Sequence, residues 1–87
     1  MSDLMPVFLD DAVRPAAAGL ATDQRRRFLH TLLSIRRDPE LGRPYTSGSD
    51  VSGRVVTVPG DDAAPGMTLG YRVGDGEIRI VLLLVGP

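Results

Sequence analysis

Apolar residues recur along this chain in two rhythms. Between Asp23 and Arg37 they fall at three- and four-residue spacing, as Phe28, Leu29, Leu32, Leu33 and the flanking Ile35, with arginines on the other faces. That period marks an amphipathic helix. Thr22 is its expected N-cap, and Asp38-Pro39 ends it, because the residue before a proline avoids the α region. A shorter helix is expected to precede it, running to about Gly19. Asp10 or Asp11 supplies the cap, and Pro15 falls near the first turn, where a missing N–H costs least. Ala12, Val13, Ala16, Ala17 and Leu20 give that helix a small apolar stripe. The turn between the helices is short enough to make them an antiparallel hairpin.

The second rhythm is that of strands. Leu4–Leu9 reads as a short edge strand, because Pro6 cannot donate to a ladder. Leu41–Ser52, rich in Gly, Pro and Ser, reads as a loop. Arg54–Val58, Met67–Val73 and Glu77–Val85 read as strands, separated by a loop at Pro59–Gly66 and a tight turn at Gly74-Asp75-Gly76. The last strand alternates over Glu77–Ile80 and is then apolar on both faces, which suits a central strand or one that touches a partner. This order predicts an α+β domain: an N-terminal strand, an antiparallel helical hairpin, then a three-stranded antiparallel meander completing one sheet.

Composition narrows the chemistry. A chain of 87 residues makes one domain, 1–87. Its stability is expected at about 0.05–0.15 kcal/mol per residue, so a binding partner or a homodimer interface would help it. The absence of cysteine excludes disulfides, thiol chemistry and a cysteine zinc site. Met1–Leu9 lacks the basic and apolar regions of a signal peptide, and the longest apolar run, Ile80–Val85, is far short of a membrane span. We therefore expect a cytoplasmic protein with no membrane partner, no cofactor and no metal. All ten basic residues are arginine, and the net charge is −1. Any attraction to a phosphate backbone must come from local clustering.

Three segments, read together with this element order, resemble the RelE/ParE superfamily of type II toxins. Leu33-Ser34-Ile35-Arg36-Arg37-Asp38-Pro39-Glu40-Leu41-Gly42-Arg43-Pro44-Tyr45 is similar to the family's L-x-x-L-x-x-D-P-x-x-G-x-P-L. Tyr71-Arg72-Val73-Gly74-Asp75-Gly76-Glu77-Ile78 is similar to its Y-R-V-x-D-x-x-I, and Ile80–Gly86 to its last strand. Arg54–Val58 matches its basic strand more weakly. The resemblance implies a toxin neutralised by a protein antitoxin. It implies one of two targets: the ribosome, where RelE-like members cleave mRNA, or DNA gyrase, which ParE-like members inhibit.

Metal-free RNA cleavage needs a base, an acid and cations for the developing charge. Arginine can supply the cations but is a poor proton shuttle. On the resemblance, Arg54, Arg72 and Arg79 are the candidate catalytic cations. Thr57 and Thr68 stand where the family carries basic residues, and the chain ends at Gly86-Pro87, where active relatives continue with His, Tyr, Arg or Lys. Weak or absent ribonuclease activity is the resulting expectation. The alternatives are a non-catalytic interaction domain on the same fold and a ribosome-dependent endonuclease with an arginine-based site. Arg25, Arg36 and Arg43 form a candidate nucleic-acid patch, with Tyr45 able to stack on a base. Val81, Leu83 and Val85 are candidate partner-binding residues. His30, the single histidine, lies mid-helix beside the apolar stripe and is read as a surface residue rather than a base.

Overall fold

The computed structural model describes residues 4–47, 50–62 and 65–86. The chain runs β1 (Val7–Leu9), α1 (Arg14–Ala18), α2 (Thr22–Arg37), β2 (Arg43–Ser47), β3 (Asp50–Val58), β4 (Met67–Gly74) and β5 (Glu77–Val85). All the strands belong to one sheet of order β1-β5-β4-β3-β2. The meander β3-β4-β5 is antiparallel, and β1 adds to β5 in parallel, with Val7, Phe8 and Leu9 opposite Ile78, Arg79 and Ile80.

The helices are placed by topology. β1 and β2 lie at opposite edges of the sheet, and α1 and α2 are the connection between them. A 16-residue helix spans about 24 Å, and five strands span about 19 Å, so α2 is long enough to cross the whole sheet. One face is therefore covered by the helical hairpin and the other is left open.

Local chemistry sets the helix ends. Pro15 has no N–H to bond the carbonyl four residues before it, so residues 10–13 form a turn and α1 starts only at Arg14. Val13, not Asp10 or Asp11, is its N-cap. α2 begins one residue earlier than Thr22 would allow as a cap. Ala21 is the N-cap, its carbonyl accepts from Arg25 N (2.8 Å), and its own N–H donates to the Gln24 side chain (3.1 Å). The far end agrees with the sequence: Asp38 caps α2 outside the α region, ahead of Pro39.

The core lies between the hairpin and the inner sheet face. Alternation turns Met67, Leu69 and Tyr71 of β4 inward with Ile78, Ile80 and Leu83 of β5. Val13, Leu20, Phe28 and Ile35 meet them from the helical layer. The buried stripe of α2 is Gln24, Phe28, Thr31 and Ile35, and Leu32 is half-buried. Leu29 and Leu33, expected in that stripe, project outward instead. Thr31 takes an inward position because its hydroxyl is satisfied within the helix, donating to the Arg27 carbonyl at 2.8 Å.

Two further corrections concern the sheet. The expected loop Leu41–Ser52 contains β2 and the start of β3, so the sheet has five strands, one more than the sequence suggests. Pro44 is tolerated because β2 is an edge strand paired only with β3. The second correction is a bulge. Gly70 pairs with Leu82 and Tyr71 with Ile80, leaving Val81 without an opposite residue. Side-chain parity along β5 changes at that point.

Candidate functional site

The register sorts the side chains of the open face into three rows. The first runs Gly53, Arg72, Arg79 and Phe8 across β3, β4, β5 and β1. The second runs Arg43, Val55, Gly70 and Leu82, and the third Thr57, Thr68 and Leu84. One end of the face is thus cationic, and the other carries hydroxyls and exposed leucines. The fold unites Arg72 and Arg79 in one row and puts Arg43 in the next. The side chain of Tyr45 lies outside the described residues.

Arg72 and Arg79 stand directly opposite each other on neighbouring strands. Like charges in that position repel, by about 0.2–1 kcal/mol, unless an anion or a carboxylate lies near. Glu77 is that carboxylate: it accepts from Arg79 at 2.9 Å. The Arg79 guanidinium also lies 6.0 Å from the centre of the Phe8 ring, at the outer limit of a cation–π contact. Together Arg72, Val73, Gly74, Asp75, Glu77 and Arg79 line an open cleft of about 370 Å3. Two guanidiniums in such a cleft suit the bidentate recognition of a phosphate. Asp75 and Glu77 weaken the attraction, in keeping with the net charge of −1. Gly74-Asp75-Gly76-Glu77 forms the hairpin that brings these groups together, with positive φ at Asp75 (54°) and Gly76 (74°).

Arg54 is not part of this cleft. Its cross-strand partner is Tyr71, so it faces the helical layer, on the side of the sheet opposite Arg72 and Arg79. There its guanidinium donates to the carbonyls of Gly42 (2.8 Å) and Glu40 (3.4 Å). Tyr71 completes the same knot. Its hydroxyl accepts from Gly42 N (2.9 Å) and donates to the Pro39 carbonyl (2.8 Å). Burial raises the Tyr71 pKa; the hydrogen bond from Gly42 and the nearby Arg54 charge act in the opposite direction. A Cβ at Gly42 would lie 3.0 Å from the Tyr71 ring and hydroxyl and from the Val55 carbonyl, so the close approach favours glycine. The Asp38–Gly42 turn is thereby fastened to the sheet, and β2 emerges in the register that turns Arg43 outward. Nothing in the residue pattern distinguished Tyr71 as this anchor, although both halves of the knot lie in the segments that carry the family resemblance.

The helical arginines occupy the other layer. Arg25 donates to the Ala18 carbonyl and Arg36 to that of Met5, each at 3.1 Å. Neither meets Arg43, so the three do not form one patch. His30 is exposed on α2, within the helical layer and away from the arginine cleft. Among the described residues, no group of three His, Cys, Asp or Glu side chains is placed to hold a metal ion. No helix among them is long and apolar enough to cross a membrane.

The proposed partner strand is corrected by the bulge. Leu83 is only 8% exposed and belongs to the core, Val81 is half-buried, and Val85 is exposed. Leu82 and Leu84 are the leucines that β5 presents on the open face, Leu84 at 56% exposure. The extra residue at Val81 reverses the parity expected from the first half of the strand.

No family model matches the chain, and no curated protein sequence is similar to it. Among solved structures it is similar to a double mutant of the E. coli toxin RelE in the free state. The TM-score is 0.72 and the identity 13%, over 92% of this chain and 81% of that one. The α+β architecture read from the sequence is therefore a RelE-like fold.

Proposed function

We propose that the chain is a toxin-like component of a type II toxin–antitoxin system, bound by an antitoxin, with weak or absent ribonuclease activity. The observation that carries this reading is a RelE-like fold whose open face retains one cross-strand arginine pair, Arg72 and Arg79. Arg43 in the neighbouring row extends the cationic end. Such a surface holds a phosphate. Cleavage also needs a group that gives or takes a proton near neutrality, and neither threonine of the third row, Thr57 or Thr68, can do so. Arg54 supports the site by anchoring β2 and is not a catalytic cation in this reading.

The leucines Leu82 and Leu84 on the same face favour a second reading, a non-catalytic domain that binds a protein there. One experiment separates the two. The chain is expressed alone, and growth and amino-acid incorporation are followed beside Arg72→Ala/Arg79→Ala. If weak activity survives, growth and translation slow and the double variant relieves both. A wild-type chain that leaves both unchanged overturns the residual activity and favours the protein-binding domain.

A further inference from the structure

The arginine cleft carries its own counter-anion, and that limits what can enter it. The Glu77 carboxylate accepts from Arg79 at 2.9 Å, and its side chain is only 29% exposed. Glu77 is two residues from Arg79 on the same strand, so its effective concentration there is high. An incoming anion has to better a carboxylate, which offers two oxygens and one charge. A phosphodiester does not better it, because it too brings two free oxygens and one charge. A phosphate monoester brings three oxygens and a charge of about −1.5 to −2 at pH 7. It can replace both oxygens at Arg79 and still bond Arg72, which stands directly opposite and is exposed. Nor is the cleft attractive to a polyanionic backbone at large: Asp75 and Glu77 cancel the charges of the two arginines in its lining.

The exchange has room to occur. Gly74 is the cross-strand neighbour of Glu77, and a Cβ there would meet nothing within 4 Å. On the other side stands Phe8, next to Arg79 in the same row and 44% exposed. An exposed ring one strand spacing away, about 5 Å, is a platform on which a base can stack. We infer that the cleft takes a nucleotide by a terminal, dianionic phosphate. Glu77 excludes internal phosphodiesters, and Phe8 carries the base. The inference rests on the proposed function in using the same arginine pair, and it names the anion which that pair accepts.

The test is isothermal titration calorimetry of the intact chain with adenosine 5′-phosphate and with its methyl ester, which differ only in one blocked phosphate oxygen. The nucleotide is expected to bind about tenfold or more tightly than the ester. Glu77→Gln should narrow that gap by tightening the ester. Arg72→Ala/Arg79→Ala should abolish binding of both, and Phe8→Leu should weaken the nucleotide while leaving inorganic phosphate unchanged. An unchanged melting temperature verifies that each variant is folded. A tri-adenylate with a 5′-phosphate, beside its 5′-hydroxyl form, separates the two sources of such a phosphate. If the phosphorylated form binds at least as tightly as the mononucleotide, the ligand is a nucleic-acid end; if it binds more weakly, a free nucleotide. The 5′-hydroxyl form stays unbound in either case. Equal affinity for nucleotide and ester overturns the inference, as does a gap that Glu77→Gln leaves unchanged, a Phe8→Leu variant that binds the nucleotide like wild type, or no binding of either ligand. A chain that slows growth but binds the ester equally well overturns this inference alone. One that binds the nucleotide without slowing growth overturns only the residual activity.

Discussion

Replacing Tyr71 with phenylalanine isolates the knot that fastens β2 to the sheet. The ring is buried, and phenylalanine fills the same space, so no cavity opens. What is lost is the hydroxyl and its two bonds, from Gly42 N at 2.9 Å and to the Pro39 carbonyl at 2.8 Å. The Gly42 N–H is buried and left without a partner, which costs about 1–3 kcal/mol. The Pro39 carbonyl is half-exposed and can turn to water, so its share is about 0.5–1 kcal/mol. We expect a loss of about 2–3 kcal/mol from a domain whose total stability is roughly 4–13 kcal/mol. The melting temperature should fall by about 10–20 °C, since each kcal/mol shifts it by about 4–8 °C at this size. Urea unfolding followed by far-UV circular dichroism measures the loss directly. Alkaline pH gives a second readout. Because burial raises the Tyr71 pKa above 10.0, the folded state holds this proton more tightly than the unfolded chain. The stabilisation is complete below pH 10 and is lost as pH rises through the folded value. The wild type should therefore weaken above pH 10 more steeply than Tyr71→Phe. A variant within about 0.5 kcal/mol of wild type, with an identical alkaline limb, would refute the anchoring role.

Arg54→Ala removes the other half of the knot and should cost about 1–2 kcal/mol in the same urea measurement. Combined with Tyr71→Phe it should cost less than the sum, because both side chains hold the Asp38–Gly42 turn; strict additivity would separate them. Gly66→Ala should cost about 1–3 kcal/mol. Its Cβ would lie 2.7 Å from the Val58 carbonyl oxygen and 2.9 Å from Gly60 N, which are backbone atoms that cannot turn aside. A thermal melt unchanged by that substitution would show that the β3–β4 connection yields more readily than this packing implies.

The parts of this molecule that were legible in the sequence are those decided by neighbours along the chain. The end of α2 at Asp38-Pro39 depends on one clash between adjacent residues, and the turn at Gly74–Glu77 on residues that accept positive φ. The helix-then-meander order followed from the same local signals. The errors arose where a distant element decided. Gly42 and Pro44 read as loop residues, but Tyr71 bonds Gly42 from 29 residues away and β3 accepts Pro44 at its edge. Leu29 and Leu33 fit a helical stripe as well as Thr31 does, and only the position of the sheet decides which of them is covered.

The candidate site carries the same division further. Arg54, Arg72 and Arg79 look equivalent in a list of arginines on strands. Their roles separate only when the register is known, because one step along β3 exchanges the open face for the core. Val55 and Gly53, the neighbours of Arg54, face outward, while Arg54 turns inward to the carbonyls of Gly42 and Glu40. On β5 the bulge at Val81 has the opposite effect: it gives Leu82 and Leu84 the outward positions and places Leu83 in the core. An arginine's place on a strand is therefore too little to assign it a phosphate. The pairing of its strand must be known first, and here that pairing gives the open face Arg72 and Arg79 while it commits Arg54 to holding the fold.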